Sequence, residues 1–147
     1  MTRKARIGSI SSGTLRSKDL LPAFAGELEL LDAAGRYTGL VAESRSVDAD
    51  SDEAREVLGD LEQALGELAP PYCYFGAHRG DGADFGYWPD WDAVEADRRD
   101  GTLASGDELP ADGAAATYYL HISDHGNAEL YAWDSPGRQW RSVWGVV

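Results

Sequence analysis

A single cysteine, Cys73, stands in the 147 residues, so no intramolecular disulfide forms and nothing argues for an oxidising compartment. Long apolar runs are missing too. The start, Met1 to Gly13, has basic residues but no apolar stretch of signal length, and no window approaches the roughly 18 apolar residues of a membrane span. The expectation is a cytoplasmic protein with no membrane partner. Positive charge is scarce: two lysines, Lys4 and Lys18, and eleven arginines face 26 acids, for a net charge of −13. The bases are scattered, whereas neutralising phosphates needs a basic patch, so direct nucleic-acid binding is excluded.

What is abundant is acid and aromatic. Glu43 to Glu67 holds nine acids against two arginines, and Asp81 to Asp112 holds ten against two. One reading is a solvated surface adapted to salt or to GC-rich coding. The other is a surface that attracts a basic partner or imitates a phosphate backbone. The stretch Pro70 to Trp91 holds three of the seven tyrosines, two of the five tryptophans and two of the three phenylalanines. A chain of this length is expected to form one domain, residues 1–147, burying roughly two thirds of its unfolded surface without staples.

Arg6 to Ile10 reads as a short first strand. A helix then starts at Thr14 or Ser17 as cap, and Pro22 is acceptable if it lies near the first turn. Leu20, Leu21, Phe24, Leu28 and Leu31 share one face of this helix, which ends near Asp32 to Gly35. Residues 36–47 have no clear period and fit a strand or a short helix. The second helix opens on Asp50 with Glu53 as a capping box. It carries an apolar stripe of Ala54, Val57, Leu58, Leu61, Leu65 and Leu68, and Pro70 and Pro71 stop it.

Tyr72 to Phe75 and Phe85 to Trp88 form a hairpin around a glycine-rich tip, Gly80 to Asp84. Asp90 caps a short helix from Trp91 to Arg99, and Gly101 to Ala114 is a loop. Thr117 to Ser123, Ala128 to Trp133 and Trp140 to Val147 form an antiparallel meander. The expected fold is α+β: one antiparallel sheet of about five strands, the central hairpin plus the meander, with two main helices on one face and a short third helix.

The tip residues His78, Asp81 and Asp84 lie within seven positions, and the turn residues Asp124 and His125 join them if both hairpin tips share one end of the sheet. Such a set suits a small metal-dependent hydrolase, since imidazole and carboxylate are ordinary zinc or manganese ligands. Against that, the acids also serve as bonding partners for turn amides, so no metal, cofactor or catalytic residue is assigned. Cys73 and His78 point to opposite faces of an unbroken strand, which leaves Cys73 a structural residue. Asp84-Phe85-Gly86 spells a kinase magnesium tripeptide without any of its context, and Asp48, Asp50 and Asp52 lack the glycine and glutamate of a calcium loop. Both matches are rejected.

Gly8-Ser9-Ile10-Ser11-Ser12-Gly13-Thr14-Leu15-Arg16, then Ala69-Pro70-Pro71-Tyr72-Cys73-Tyr74-Phe75-Gly76-Ala77-His78 through Phe85-Gly86-Tyr87-Trp88-Pro89, and finally Ser123-Asp124-His125-Gly126-Asn127 together resemble a family of small acidic proteins of uncharacterised function, encoded by phages and plasmids. The resemblance implies an accessory protein of a mobile genetic element and carries over no activity, ligand or catalytic residue. Small acidic proteins of that origin often bind host defence components.

The leading expectation is therefore a non-enzymatic binding protein, an anti-CRISPR-like or anti-restriction-like inhibitor working in the host cytoplasm. Its binding residues are Glu53, Glu56 and Asp60 on the acidic helix and Tyr74, Trp88 and Trp91 on and beside the aromatic hairpin, facing a protein partner with a basic surface. The alternatives are a binder of a small nucleotide signal, with Tyr74 or Trp88 stacking the base, the metal-dependent hydrolase built on the tip residues, and an accessory domain without a counter-defence role.

Overall fold

A computed structural model of the chain describes residues 4–114 and 117–146. It is α+β: helices α1 (Ser17–Leu31), α2 (Thr38–Ser46), α3 (Asp52–Glu67) and α4 (Trp91–Asp100) are interspersed with strands β1 (Gly8–Ser11), β2 (Cys73–His78), β3 (Asp81–Pro89), β4 (Ala104–Gly106), β5 (Tyr118–Ile122), β6 (Ala128–Asp134) and β7 (Gln139–Val146). The sequence reads as one domain, and the chain's internal contacts gather in two compact units, Met1–Pro89 and Asp90–Val147.

The single five-stranded sheet is corrected to two sheets, ordered β1-β3-β2 and β4-β5-β6-β7. The reason lies in the edges. β1 pairs antiparallel with the open side of β3, and β4 pairs parallel with the open side of β5. Hairpin and meander thus each gain a strand from elsewhere, and β3 and β5 both become interior. β4 falls in the segment expected to be a loop.

In the first unit, Phe75, Phe85 and Tyr87 turn one face of the β1-β3-β2 sheet toward the helices. Phe24 of α1 meets Phe75 and Phe85 edge-on, with ring centroids 5.1 and 5.4 Å apart. The expected apolar stripes of α1 and α3 are what this core is made of: Phe24, Leu28, Leu61 and Leu65 are fully buried. Ring pairs of this kind add about 0.5–1.5 kcal/mol each beyond their buried area.

Helix starts are less legible. α1 follows Arg16 without a side-chain cap. Thr14 instead accepts the Arg16 amide and donates to Asp19, and Pro22 stands sixth in the helix, a turn deeper than expected. There it removes the bond to the Lys18 carbonyl. α3 is capped by Ser51, whose Oγ accepts the Ala54 amide at 3.3 Å, and not by Asp50. Asp48 takes the Asp50 amide and Ser51 donates to the Asp48 carbonyl, which turns the chain one residue later than the capping box implied. Residues 36–47 resolve as helix α2, because both oxygens of Asp32 accept the Arg36 and Tyr37 amides at 2.8 Å and hold the chain in a helical entry.

The β2–β3 hairpin turns on Arg79 and Gly80 alone, with His78 opposite Asp81. Asp81 to Asp84, expected at the tip, therefore lie in β3. In the second unit, the meander follows the expected boundaries, with Leu120, Leu130 and Trp144 buried on one face and Trp91 of α4 edge-on to Trp144 at 6.0 Å. Asp90 caps α4 through the Ala93 amide, and Gly101 ends it at φ 80°. The expected last strand residue, Val147, lies outside the described residues, as does the start of the chain through Arg3.

Candidate functional site

The side of the β1-β3-β2 sheet turned away from the helices carries Tyr74, Gly76 and His78 from β2 and Asp84, Gly86 and Trp88 from β3. This follows from the register Tyr74 opposite Trp88 and Gly76 opposite Gly86, on the reverse of Phe75 and Tyr87. Gly76 leaves room for the Tyr74 ring, 3.5 Å from where a Cβ would stand. Trp88 Nε1 donates to the Gly76 carbonyl and Tyr74 Oη to the Ala77 carbonyl, both at 3.0 Å, so the two rings lie down along the hairpin. His78 stands edge-on to Trp88 with centroids 4.7 Å apart. A Cβ at Gly86 would collide with the Gly8 carbonyl and lie 2.8 Å from the Ser9 Cα. Only glycine lets β1 approach β3 here.

Of the tip residues, His78 Nδ1 accepts the Gly80 amide at 2.9 Å and Asp81 Oδ1 accepts the Ala83 amide at 3.0 Å. Both are thus engaged in shaping the turn. Asp84 differs: its Oδ1 is shielded from solvent and has no hydrogen-bond partner among the described residues. Asp124 and His125 are exposed in a turn closed by Ser123, which binds Gly126 and Asn127. The first three candidates belong to one unit and the last two to the other. Among the described residues, no group of three or more His, Cys, Asp or Glu side chains is placed to hold a metal. Cys73 is half-buried, one of the alternate positions of β2 that face the core with Phe75.

Glu53, Glu56 and Asp60 are all exposed and follow one another at helical spacing along α3. None of the three makes an ion pair among the described residues. Trp91 begins α4 and belongs to the second unit, apart from Tyr74 and Trp88 in the chain's division. A groove between α1 and α2, lined by Glu29, Asp32, Thr38, Val41 and Arg45, has its charges satisfied from within. Arg45 forks onto both Glu29 oxygens at 3.0 and 3.1 Å and holds that carboxyl below its ordinary range.

A second aromatic set, not among the binding residues expected from the sequence, lies on the meander. Tyr119, His121, Tyr131, Trp133 and Trp140 alternate onto the side of β5, β6 and β7 opposite Leu120, Leu130 and Trp144. Trp133 and Trp140 meet at 5.1 Å, Tyr119 and Trp140 at 6.0 Å, and His121 and Tyr131 at 6.5 Å. Burial, followed by the hydrogen bond to Glu129, raises the Tyr131 hydroxyl above its ordinary pKa. The available signal was the alternation of Tyr119 and His121 in β5. No family model matches the chain, and no curated protein and no solved structure matches it.

Proposed function

We propose that the protein acts by binding, as a small acidic accessory protein of a mobile element that inhibits a host defence component through that component's basic surface. The observation that carries this reading is the row of Glu53, Glu56 and Asp60 on α3, exposed and unneutralised within a chain of net charge −13. Arginine- and lysine-rich surfaces are drawn to such a row, which speeds encounter and selects for opposite charge.

Tyr74 and Trp88, opposite one another on β2 and β3, add aromatic faces on which a partner's guanidinium stacks. The cytoplasm of the host cell is where such a partner is met.

The test is capture of a binding partner from host lysate by the wild-type protein, followed by titration of that partner against Glu53→Lys/Glu56→Lys/Asp60→Lys. Loss of binding by the folded triple variant, together with a steep fall of wild-type affinity with salt, is the expected result. Unchanged binding rejects the acidic-face reading. Retention of a metal or nucleotide in native mass spectrometry of purified protein would move the function to the tip turns.

A further inference from the structure

Residues 107–113 run along the aromatic side of the meander and are fastened there by ring donors. Tyr119 Oη donates to the Glu108 carbonyl at 2.9 Å and Trp140 Nε1 to the Pro110 carbonyl at 2.8 Å. His121 Nε2 lies 2.9 Å from the Asp107 carbonyl, and since a carbonyl only accepts, this nitrogen carries hydrogen. Further along, Arg138 pairs with Asp112 at 3.3 Å. Gly113 sits so close to the tryptophans that a Cβ would come within 2.8 Å of Trp140 and 2.9 Å of Trp133.

Three of these contacts are made through backbone carbonyls, those of Asp107, Glu108 and Pro110. Pro110 has a fixed φ, and Leu109 before it is biased to extended conformations. Aromatic rings whose N–H and O–H groups read the carbonyls of an extended, proline-containing segment are the physics by which peptide-recognition modules bind in trans. Here the ligand comes from the same chain, and its outer side is open: Glu108, Pro110, Ala111 and Asp112 are all exposed. The bonds from His121, Trp140 and Arg138 that hold it are exposed to solvent, which is the property of segments that open locally without global unfolding.

We propose that the aromatic side of β5, β6 and β7 is a binding site for an extended Leu-Pro-x-Asp-Gly type peptide of a partner protein, and that residues 107–113 are a built-in occupant which that peptide displaces. Tyr119, His121 and Trp140 read backbone carbonyls, Arg138 reads the acid two places after the proline, and Trp133 and Trp140 require glycine next to it. The site involves none of the α3 acids, so its fate is separate from that of the acidic-face reading.

The test uses the full chain with Leu109 to Asp112 replaced by glycine and serine, and a synthetic peptide copying residues 106–114. Self-occupancy lowers the apparent affinity of a site by the fraction of time it is open. The loosened variant is therefore expected to bind the peptide roughly tenfold or more tightly than wild type, with the Trp133 and Trp140 indole N–H signals moving in NMR spectra and those of Trp88, Trp91 and Trp144 holding still. Trp140→Phe in the loosened chain is expected to cut that binding severalfold.

A folded loosened variant that does not bind, or that binds no better than wild type, overturns the proposal. If that variant fails to fold, Pro110→Gly/Asp112→Ala, which keeps every carbonyl, decides in its place by the same comparison. A wild-type dimer in which the segment crosses between subunits would assign the groove to a second copy of the chain and overturn the partner-peptide reading.

Discussion

Tyr87 donates its hydroxyl to Glu27 Oε2 at 3.1 Å inside the core of the first unit, where the tyrosine is wholly buried and the glutamate 5% exposed. The pair ties the C-terminal half of α1 to the C-terminal half of β3. Burying an acid in an apolar core is unfavourable unless its oxygens are bonded, so the phenol does more here than fill space. Tyr87→Phe keeps the ring and deletes the donor. The expected loss is about 1–3 kcal/mol, read from urea unfolding at unchanged slope, and a loss near zero would show that Glu27's other partners suffice.

Gly86 is the position where β1 closes on β3. Gly86→Ala places a methyl against the Gly8 carbonyl and the Ser9 backbone, neither of which is the movable end of a side chain. Overpacking of this kind costs about 1–3 kcal/mol or more. Thermal unfolding is expected to shift down accordingly, with hydrogen exchange at β1 amides accelerating first. Gly82→Ala, with nothing within 4 Å of its Cβ, is the control and is expected to be nearly silent.

The cap of α3 separates two adjacent residues. Ser51→Ala removes the acceptor for the Ala54 amide and is expected to cost about 1 kcal/mol, whereas Asp50→Ala removes a side chain that caps nothing. Denaturant midpoints of the two variants check this directly, and an equal effect of both would contradict the observed cap.

Glu62 is half-buried on α3, and burial raises its pKa above the ordinary 4.5. For an acid whose pKa is higher folded than unfolded, the native state holds the extra proton. Its effect on stability is therefore unfavourable above the folded pKa and fades as pH falls toward 4.5. Glu62→Gln is expected to unfold at a higher temperature than wild type at pH 7, with the gap closing below pH 4.5. The exposed Glu29–Arg45 and Asp134–Arg141 pairs act in the opposite sense. Each arginine holds its acid below the usual range, so their small support is present at neutral pH and is lost on acidification.

The aromatic surplus was visible in the composition, and its two destinations were not. Tyr74 and Trp88 stand on one sheet, while Trp133 and Trp140 stand on another beneath residues 107–113. The segment Gly101 to Ala114 has the composition of a plain loop. Its role comes from carbonyls meeting donors on β5 and β7, and a carbonyl leaves no mark in the sequence.

Local periodicity by itself determined the apolar faces of α1 and α3, the hairpin and the three-stranded meander, because each depends on residues within a few positions of one another. The α+β class followed from those elements. Tertiary structure decided what closes the open edges: β1 on β3 across more than 70 residues, and β4 parallel to β5. The Ser51 cap of α3 and the Asp32 bonds that lead into the helix over residues 38–46 are local, three to five positions apart, but neighbouring acids and hydroxyls compete for the same amides and the sequence did not single out the winner. For the sheet edges the reason lies in the backbone. Backbone amides and carbonyls are identical along the chain, so which of them pair is settled by where distant segments fit, as the glycine gap at Gly86 shows.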